Sequence, residues 1–426
     1  MTRSPSRTQH RVDTVVIGAG QAGLALSHHL TAAGHDHVVL ERGRVGERWR
    51  SERWPSLRLL TPNWLNRLPG APAPEDADGF QAASGFVADL ERYAASFGAP
   101  VREQEPVRWV APVQGAGGYV VATPRSVFHA RHVVIATGDC AVPRVPAAAA
   151  TVPAGVRSLH AAAYTAPDAL PAGPVLVVGA GATGQQLAAE LARAGRRVVI
   201  AAGGHARMPR RYRGRDAFAW LHAIGALDER IEDHPEPERA RRAHSFVLSG
   251  ADGGTSLDLN VLQDLGVEAA GRLRGFDGGR ALLARDLDRT AAAVDERLAE
   301  LLERFDAAAT AAAAPVAPPD RPPPLACGPG PATVDVGGFG AVLWATGYGR
   351  AYPWLRVPVL DAAGEVVHDR GATGAPGLHV LGLRFQRRRS SHFIGGVGRD
   401  AAELAAALVA GRGAEPEPVR AAGAAG

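Results

Sequence analysis

Residues 14–23 read Thr-Val-Val-Ile-Gly-Ala-Gly-Gln-Ala-Gly, and this stretch predicts the fold of the N-terminal part of the chain. The β-branched residues favour a buried strand, and the glycines stand where a strand turns tightly into a helix. Backbone N–H groups and the positive end of the helix dipole converge in such a turn, which suits the pyrophosphate of a dinucleotide. The residues that we predict to bind it are Gly18, Gly20, Gln21, Ala22 and Gly23.

An acidic residue follows this glycine turn at the expected distance. A second apolar strand over residues 37–40 runs directly into Glu41. In dinucleotide-binding folds, an acid about 20 residues after the first glycine accepts hydrogen bonds from the adenosine ribose. The strand, the helix and Glu41 together are far more specific than the glycine pattern alone, so we predict that Glu41 binds this ribose.

The same pattern occurs a second time. Residues 175–184 read Val-Leu-Val-Val-Gly-Ala-Gly-Ala-Thr-Gly, again a strand, a glycine turn and a helix. Two such turns in one chain predict two dinucleotides held so that a hydride can pass between them. The second set of binding residues that we predict is Gly179, Gly181, Thr183 and Gly184.

The second pattern lacks the acid. Its second strand, over residues 197–200, runs into alanine and glycine, and five arginines follow between residues 207 and 215. A carboxylate would repel a ribose 2′-phosphate, whereas arginines bind it through paired hydrogen bonds. We therefore predict a preference for NADPH over NADH, with contacts from Arg207, Arg210 and Arg211; the alternative is a solvated basic loop.

Two Ala-Thr-Gly sequences, at residues 136–138 and 345–347, each follow an apolar strand. They indicate where the chain completes or crosses a dinucleotide domain, and we include Thr137, Gly138, Thr346 and Gly347 among the cofactor-binding residues. The fold class we predict is α/β, with two Rossmann-like domains, the second inserted into the first. The boundaries that we predict are residues 12–165 with 333–412 for the outer domain, 170–332 for the inserted domain, and disordered tails over 1–11 and 413–426.

Composition excludes several classes of function. The 426 residues are 46% apolar and 21% charged, as in ordinary globular proteins. All 47 basic residues other than histidine are arginines, so a lysine Schiff base is excluded. The net charge is only +4, and acids are interspersed with the arginines, so we expect no nucleic-acid partner.

The two cysteines, Cys140 and Cys327, form no C-x-x-C pair, and we predict neither a dithiol relay nor a metal site. No apolar stretch is long enough to span a membrane, and the N-terminus has no secretory signal. We expect a cytoplasmic protein without a membrane partner.

The order of these motifs resembles the flavin-containing monooxygenases, the two-dinucleotide flavoproteins with YUCCA-like, CzcO-like and Baeyer–Villiger members. The resemblance covers about residues 12–200 and 333–408. The matching motifs are Gly18-x-Gly20-x-x-Gly23, Glu41-Arg42, Trp49, Ala136-Thr137-Gly138, His160-x-x-x-Tyr164, Gly179-x-Gly181-x-x-Gly184 and Ala345-Thr346-Gly347-Tyr348.

The resemblance implies that the outer domain binds FAD and the inserted domain NADPH. Arg42 and Trp49 would then line the flavin dinucleotide, and the backbone of Val107 would contact its adenine. In this family the reduced flavin reacts with O2 to a C4a-(hydro)peroxyflavin, which inserts one oxygen atom into a small organic substrate. The partners implied are therefore a small molecule and O2, while the oligomeric state, including a homodimer, stays open.

Residues 382–396 fall where the family closes over the flavin ring. The resemblance offers Arg387, Arg388, Arg389 and His392 as contacts to an anionic substrate or to the flavin N1/O2 edge; a solvated basic loop is the alternative. No catalytic residue is assigned beyond Arg387 and His392, because the flavin itself carries the chemistry.

The chain also departs from the family pattern. Leu60 occupies the slot of an asparagine near the flavin, and Ala154 and Val156 replace phenylalanine and glycine in the linker motif. Two alternatives therefore stay open: an FAD/NADPH dehydrogenase or oxidase without oxygen insertion, and a flavin-binding sensor with reduced turnover. A disulfide reductase is disfavoured, because no paired cysteines lie near either site.

Overall fold

The structure, a computed structural model, describes residues 7–115, 117–311 and 316–411. The α-helices of this part are α1 (Gln21–Ala32), α2 (Glu47–Ser51), α3 (Ala83–Ser96), α4 (Ala182–Arg193), α5 (Ala217–Ala223), α6 (Pro237–Arg241), α7 (Leu259–Asp264), α8 (Leu287–Ala311) and α9 (Val397–Ala410).

The strands of the first half are β1 (Thr8–Ile17), β2 (His37–Leu40), β3 (Val101–Arg102), β4 (Trp109–Pro112), β5 (Tyr119–Ala122), β6 (Ser126–Ile135), β7 (Val142–Pro143), β8 (Arg157–His160), β9 (Val175–Val178), β10 (Val198–Ala201), β11 (Ala206–Arg207) and β12 (Arg211–Tyr212). Those of the second half are β13 (Arg215–Asp216), β14 (Phe246–Val247), β15 (Glu268–Ala270), β16 (Leu273–Asp277), β17 (Arg280–Leu283), β18 (Thr333–Asp335), β19 (Ala341–Trp344), β20 (Tyr348–Gly349), β21 (His368–Asp369), β22 (Ala372–Thr373) and β23 (Leu378–Val380).

The first sheet is built around β1, which pairs in parallel with β2 on one side and β6 on the other. Its strand order is β21-β22-β23-β6-β1-β2-β3, and β4 and β5 form an antiparallel meander with β6. The side chains of Val16, Val39 and Val134 pack in one core with α1, α3 and α9. Val15 and Val133 face a second core on the opposite side. Burial on both faces explains the continuous apolar runs and fixes the strand ends from which the first glycine turn starts.

The second sheet repeats this arrangement around β9. Its order is β15-β10-β9-β19-β8, with β10 and β19 parallel to β9 on either side. Helix α4 connects β9 to β10, as α1 connects β1 to β2. The strands β9, β10 and β19 thus correspond to β1, β2 and β6, and each Ala-Thr-Gly sequence follows the third strand of its own sheet.

This correspondence corrects two predicted boundaries. β8 and β19 pair within the second sheet, although the sequence placed residues 157–165 and 333–344 in the outer domain. The reason is that β9 needs a parallel partner on both sides, and β19 supplies the second one. The chain instead crosses between the units at β7 and β20, which pair antiparallel. We propose that the inserted unit spans about residues 157–347.

The N-terminal tail is also shorter than expected. β1 begins at Thr8, because β6 extends far enough to pair with it from Ser126 onward. Residues 8–11 are therefore ordered in the sheet, which corrects the tail predicted over 1–11. Residues 1–6 and the tail predicted over 413–426 lie outside the described residues.

A buried ion pair holds α9 against the loop before it. Arg388 Nη1 donates to Asp400 Oδ1 at 2.7 Å, and Asp400 is fully buried, with 0% exposure. We predict that Arg388→Met lowers the free energy of unfolding by about 3 kcal/mol, because it leaves a buried carboxylate unpaired. The shift of the urea denaturation midpoint measures this loss.

The matched control is Arg399→Met. Arg399 pairs with Asp228 on the surface, where both side chains are about half exposed, so its removal costs less than about 1 kcal/mol. Equal losses for the two variants would contradict the stabilising role of the buried pair.

Candidate active site

A cavity of about 480 Å³ opens beside the first glycine turn, a size typical of a cofactor site. Its wall is formed where β1, β2 and β6 end and where α1 and α2 begin. The predicted residues that line it are Gly18, Gly20, Gln21, Ala22, Glu41, Arg42, Trp49, Val107, Thr137 and Gly138.

The three glycines of the turn have different tasks. A Cβ at Gly18, where φ is +108°, would lie 2.7 Å from the carbonyl oxygen of Ala136, and one at Gly23 would lie 1.9 Å from that of Gly18. These two glycines let the helix, the turn and β6 approach closely. A Cβ at Gly20 would meet no protein atom within 4 Å. The open space at Gly20, at the start of α1, is where a pyrophosphate fits.

Glu41 is buried in the cavity wall, with 8% exposure. Its Oε2 accepts a hydrogen bond from the N–H of Ala19 at 2.8 Å, and its Oε1 accepts from the N–H of Gly43 at 3.0 Å. A carboxylate has about four acceptor positions, so acceptor capacity is left for two ribose hydroxyls. The geometry fits the role predicted for Glu41.

Trp49 and two arginines shape the opposite wall. Trp49 Nε1 donates to Gln21 Oε1 at 3.4 Å, and Arg48 Nη1 donates to the carbonyl oxygen of Thr137 at 3.0 Å. The guanidinium of Arg53 lies 5.5 Å from the ring centres of both Trp49 and Tyr348. Arg53 therefore joins the first unit to the segment that leaves the second sheet.

Sequence reasoning missed several residues of the cavity wall, among them Arg48, Arg53, Glu105 and Asp139. One of them carried a usable signal, because Asp139 directly follows the first Ala-Thr-Gly sequence. Ligands bind at the carboxyl ends of parallel strands, so this position could have been predicted once the strand order was known. Gly382, the first residue of the segment that the resemblance places over the flavin ring, also lines the cavity.

The second glycine turn has the same geometry. A Cβ at Gly179, where φ is +108°, would lie 2.6 Å from the carbonyl oxygen of Ala345, and one at Gly184 would lie 1.8 Å from that of Gly179. A Cβ at Gly181 would meet nothing within 4 Å. In the second glycine turn, two glycines are therefore also in close contact with the backbone, and the middle one is open. Helix α4 begins directly after it, and Thr183 lies half-buried in the first turn of this helix.

The second Ala-Thr-Gly sequence lies beside this turn, and its residues are tied to the crossing segments. The Thr346 hydroxyl donates to the carbonyl oxygen of Arg144, and the Gly347 carbonyl oxygen accepts from His160 Nε2 at 3.0 Å. His160 Nδ1 accepts from the N–H of Ala162, so Nε2 carries the ring proton. His160 is therefore a structural residue that fixes the position of Gly347.

Two of the arginines predicted to bind a 2′-phosphate have other partners. Arg207 is buried between Asp258 at 2.6 Å and Asp295 at 2.7 Å. Arg210 is buried against Asp216 at 2.5 Å. These internal ion pairs correct the prediction for Arg207 and Arg210, because a charge already paired in the interior is not free for a ligand. Arg211 is exposed, and its contact to a 2′-phosphate stays a prediction.

A different basic group lies at the end of β10. Arg272 Nε is 3.6 Å from the position of a Cβ at Gly203, and His244 Nε2 is 3.4 Å from that at Gly204. Arg297 Nη2 donates to the carbonyl oxygen of His205 at 3.3 Å. We call Arg272, His244 and Arg297 the Gly203 cluster. Burial lowers the pKa of His244, and the charges of Arg297, Arg384 and Arg272 lower it further.

The loop before α9 is mostly engaged in ion pairs. Arg387 pairs with Glu403, Arg388 with Asp400 and Glu403, and Arg389 with Glu229. Arg387 is not part of the cavity wall, which corrects its assignment as a candidate for catalysis. His392, by contrast, lines the cavity, and its contact to a substrate or to the flavin stays a prediction.

Comparisons with known proteins agree with this geometry. Residues 15–221 match the family model described as pyridine nucleotide-disulphide oxidoreductase. An uncharacterized CzcO-like oxidoreductase of Geobacillus kaustophilus is 30% identical over 400 residues, which are 93% of this chain and 98% of that protein. Indole-3-pyruvate monooxygenase YUCCA1 of Oryza sativa is 33% identical over 183 residues, or 42% of this chain and 45% of that protein.

A solved structure has the same fold. The flavin-containing monooxygenase from Stenotrophomonas maltophilia superposes with a TM-score of 0.65 at 20% identity, covering 95% of this chain and 99% of that one.

The chain belongs to the flavin-containing monooxygenase family. The predicted α/β fold with two dinucleotide-binding units is confirmed, as are the class of enzyme, a flavin-dependent oxidoreductase, and the cofactors FAD and NADPH. Within the described residues, no helix has the length and apolar character needed to cross a membrane.

The two open glycine positions offer a matched pair of variants. We predict that Gly20→Val abolishes FAD binding, because its side chain occupies the space next to the first helix terminus. Gly181→Val should leave FAD in place and weaken NADPH binding at least tenfold. Flavin absorbance after gel filtration and titration with NADP+ measure the two outcomes. A yellow, FAD-loaded Gly20→Val protein would contradict the assignment of the first site.

Proposed function

We propose that this enzyme is an FAD- and NADPH-dependent monooxygenase that inserts one oxygen atom from O2 into a small organic substrate. The observation that carries the proposal is the pair of matching glycine turns in one chain, each with its middle glycine open to a ligand. Family membership adds that such a pair serves flavin and nicotinamide together. Bound reduced flavin would supply the activation of O2.

The residues of the chain then act by binding and placement. The start of α1 binds the FAD pyrophosphate, and Glu41 accepts the ribose hydroxyls. Trp49 and Arg53 close the wall between the two units, where water would otherwise enter. At the second turn, the start of α4 binds the NADPH pyrophosphate. We assign no side chain as a general acid or base.

Disulfide reduction is a less suitable function for this chain, although the name of the matching family model includes it. Cys140 lies in the cavity wall and Cys327 lies beside the core of the inserted unit, and both are free thiols. A dithiol that is oxidised in turnover needs two sulfur atoms within bonding reach. We therefore propose that the enzyme uses NADPH together with O2, and not with a disulfide.

The Gly203 cluster is our proposal for the 2′-phosphate site of NADPH. It lies where the second strand of the inserted unit ends, which is where the adenosine ribose of a dinucleotide is read. Arg272 is exposed and makes no ion pair among the described residues, unlike the buried Arg207 and Arg210. An unpaired guanidinium can form two parallel hydrogen bonds with a phosphate.

We predict that Arg272→Ala weakens the binding of adenosine 2′,5′-bisphosphate about ten- to hundredfold and leaves the binding of AMP unchanged. The reason is the loss of a charge-assisted contact worth about 1.5–3 kcal/mol. Isothermal titration of the FAD-loaded protein measures both constants. Arg274→Ala, another exposed arginine two residues further on, is the control. Equal weakening of both nucleotides, or of both variants, would place the 2′-phosphate elsewhere.

Oxygen insertion itself is tested with ¹⁸O2. The FAD-loaded enzyme, NADPH and a panel of small organic compounds are incubated under labelled oxygen, and compounds that accelerate NADPH consumption are analysed by mass spectrometry. We expect one product that carries a single ¹⁸O atom. NADPH consumption that yields only hydrogen peroxide with every compound would favour the oxidase alternative. An absence of NADPH consumption would favour the sensor.

A further inference from the structure

His392 lies in the wall of the cavity beside the first glycine turn, and one of its ring nitrogens is enclosed without a hydrogen-bond partner in the described part of the chain. It belongs to the loop between β23 and α9 and lines the cavity together with Gly382. Its Nδ1 atom is enclosed and has no partner among the described residues. The side chain as a whole is half-buried, but an enclosed ring nitrogen without a partner costs free energy, so it calls for an explanation.

The strand order indicates which half of FAD meets His392. In the first sheet, β2 carries Glu41 on one side of β1, whereas β6 and β23 lie on the other side. The pyrophosphate lies at β1 and the adenosine ribose at Glu41, so the flavin half extends toward β6 and β23. Gly382 and His392 follow β23, on this flavin side.

The ring is held in its neutral form. Burial and the charge of Arg384 lower the pKa of His392 to about 3. The charged groups of the same loop are paired, Arg387 with Glu403, Arg388 with Asp400 and Arg389 with Glu229. Asp139, in the same cavity wall, pairs with Arg350. A neutral imidazole keeps one N–H group, which can donate a hydrogen bond to a carbonyl or nitrogen acceptor of a bound ring.

We propose that His392 is a positioning residue for the flavin and that its hydrogen bond stabilises the reduced flavin relative to the oxidised one. Hydride uptake adds electron density to the acceptor atoms of the flavin ring. A hydrogen bond to an acceptor of higher charge is stronger, so a fixed neutral donor favours the reduced form. The inference rests on FAD binding in the proposed function, but not on NADPH or on oxygen insertion.

The test measures the midpoint potential of the bound flavin under anaerobic conditions, by slow enzymatic reduction with a reference dye. His392→Leu removes the donor, and we expect the ratio of affinities for reduced and oxidised flavin to fall about tenfold, which lowers the potential of this two-electron couple by about 30 mV. His392→Asn retains an N–H donor and should keep the ratio within about twofold of the unmodified protein.

His379→Leu is the matched control. His379 is also a half-buried histidine, with its pKa lowered to about 4 mainly by burial, but it does not line the cavity. The midpoint potential of the flavin bound to His379→Leu should equal that of the flavin bound to the unmodified protein. If His392→Leu does not fold, as judged by its melting temperature, His392→Met is measured in its place.

Three results would overturn the proposal: an unchanged potential in the Leu or Met variant, an equal shift in His379→Leu, or a larger loss of affinity for oxidised than for reduced flavin. Failure of the ¹⁸O2 experiment leaves this measurement intact, because no substrate, NADPH or oxygen is used. Failure to bind FAD at all would instead contradict the proposed function.

Discussion

The close contact between each glycine turn and the strand beside it determines the rest of this structure. Gly18 lies so near Ala136, and Gly179 so near Ala345, that a side chain at either position would overlap a carbonyl oxygen. Both glycines also have a left-handed φ angle, which residues with a side chain rarely adopt. Because each turn lies in close contact with the neighbouring strand, each helix begins at the edge of its sheet, and the first residues of α1 line the cavity.

The two units use this constraint in the same way and differ in what surrounds it. Around the first turn, Glu41 and Trp49 line the cavity, and we propose that Glu41 accepts the ribose hydroxyls and that Trp49 covers the dinucleotide. Around the second turn the acid is missing, and basic side chains of the Gly203 cluster lie at the equivalent strand end. The two units share one backbone arrangement, and we propose that the side chains at the end of the second strand determine which cofactor each unit binds.

The sequence predicted those parts of the molecule that depend on local geometry. Each glycine turn directly follows its strand, and Glu41 comes 23 residues after Gly18, so local turn chemistry restricts them strongly. The role of Arg207 and Arg210 could not be predicted in this way. Their partners Asp258, Asp295 and Asp216 are brought near by the fold, and an arginine paired in the interior has the same local sequence signal as a free one. The domain boundary was predicted wrongly for a similar reason, because the pairing of β19 with β9 joins residues that are far apart in the chain.

The most direct test of the account is the anaerobic mixing of the purified, FAD-loaded protein with NADPH while the flavin absorbance is followed. If both dinucleotides bind to one chain at neighbouring sites, the yellow colour should bleach in a single turnover, with one NADPH consumed for each flavin. A protein that binds FAD and NADPH but keeps its oxidised flavin spectrum would contradict the arrangement described here.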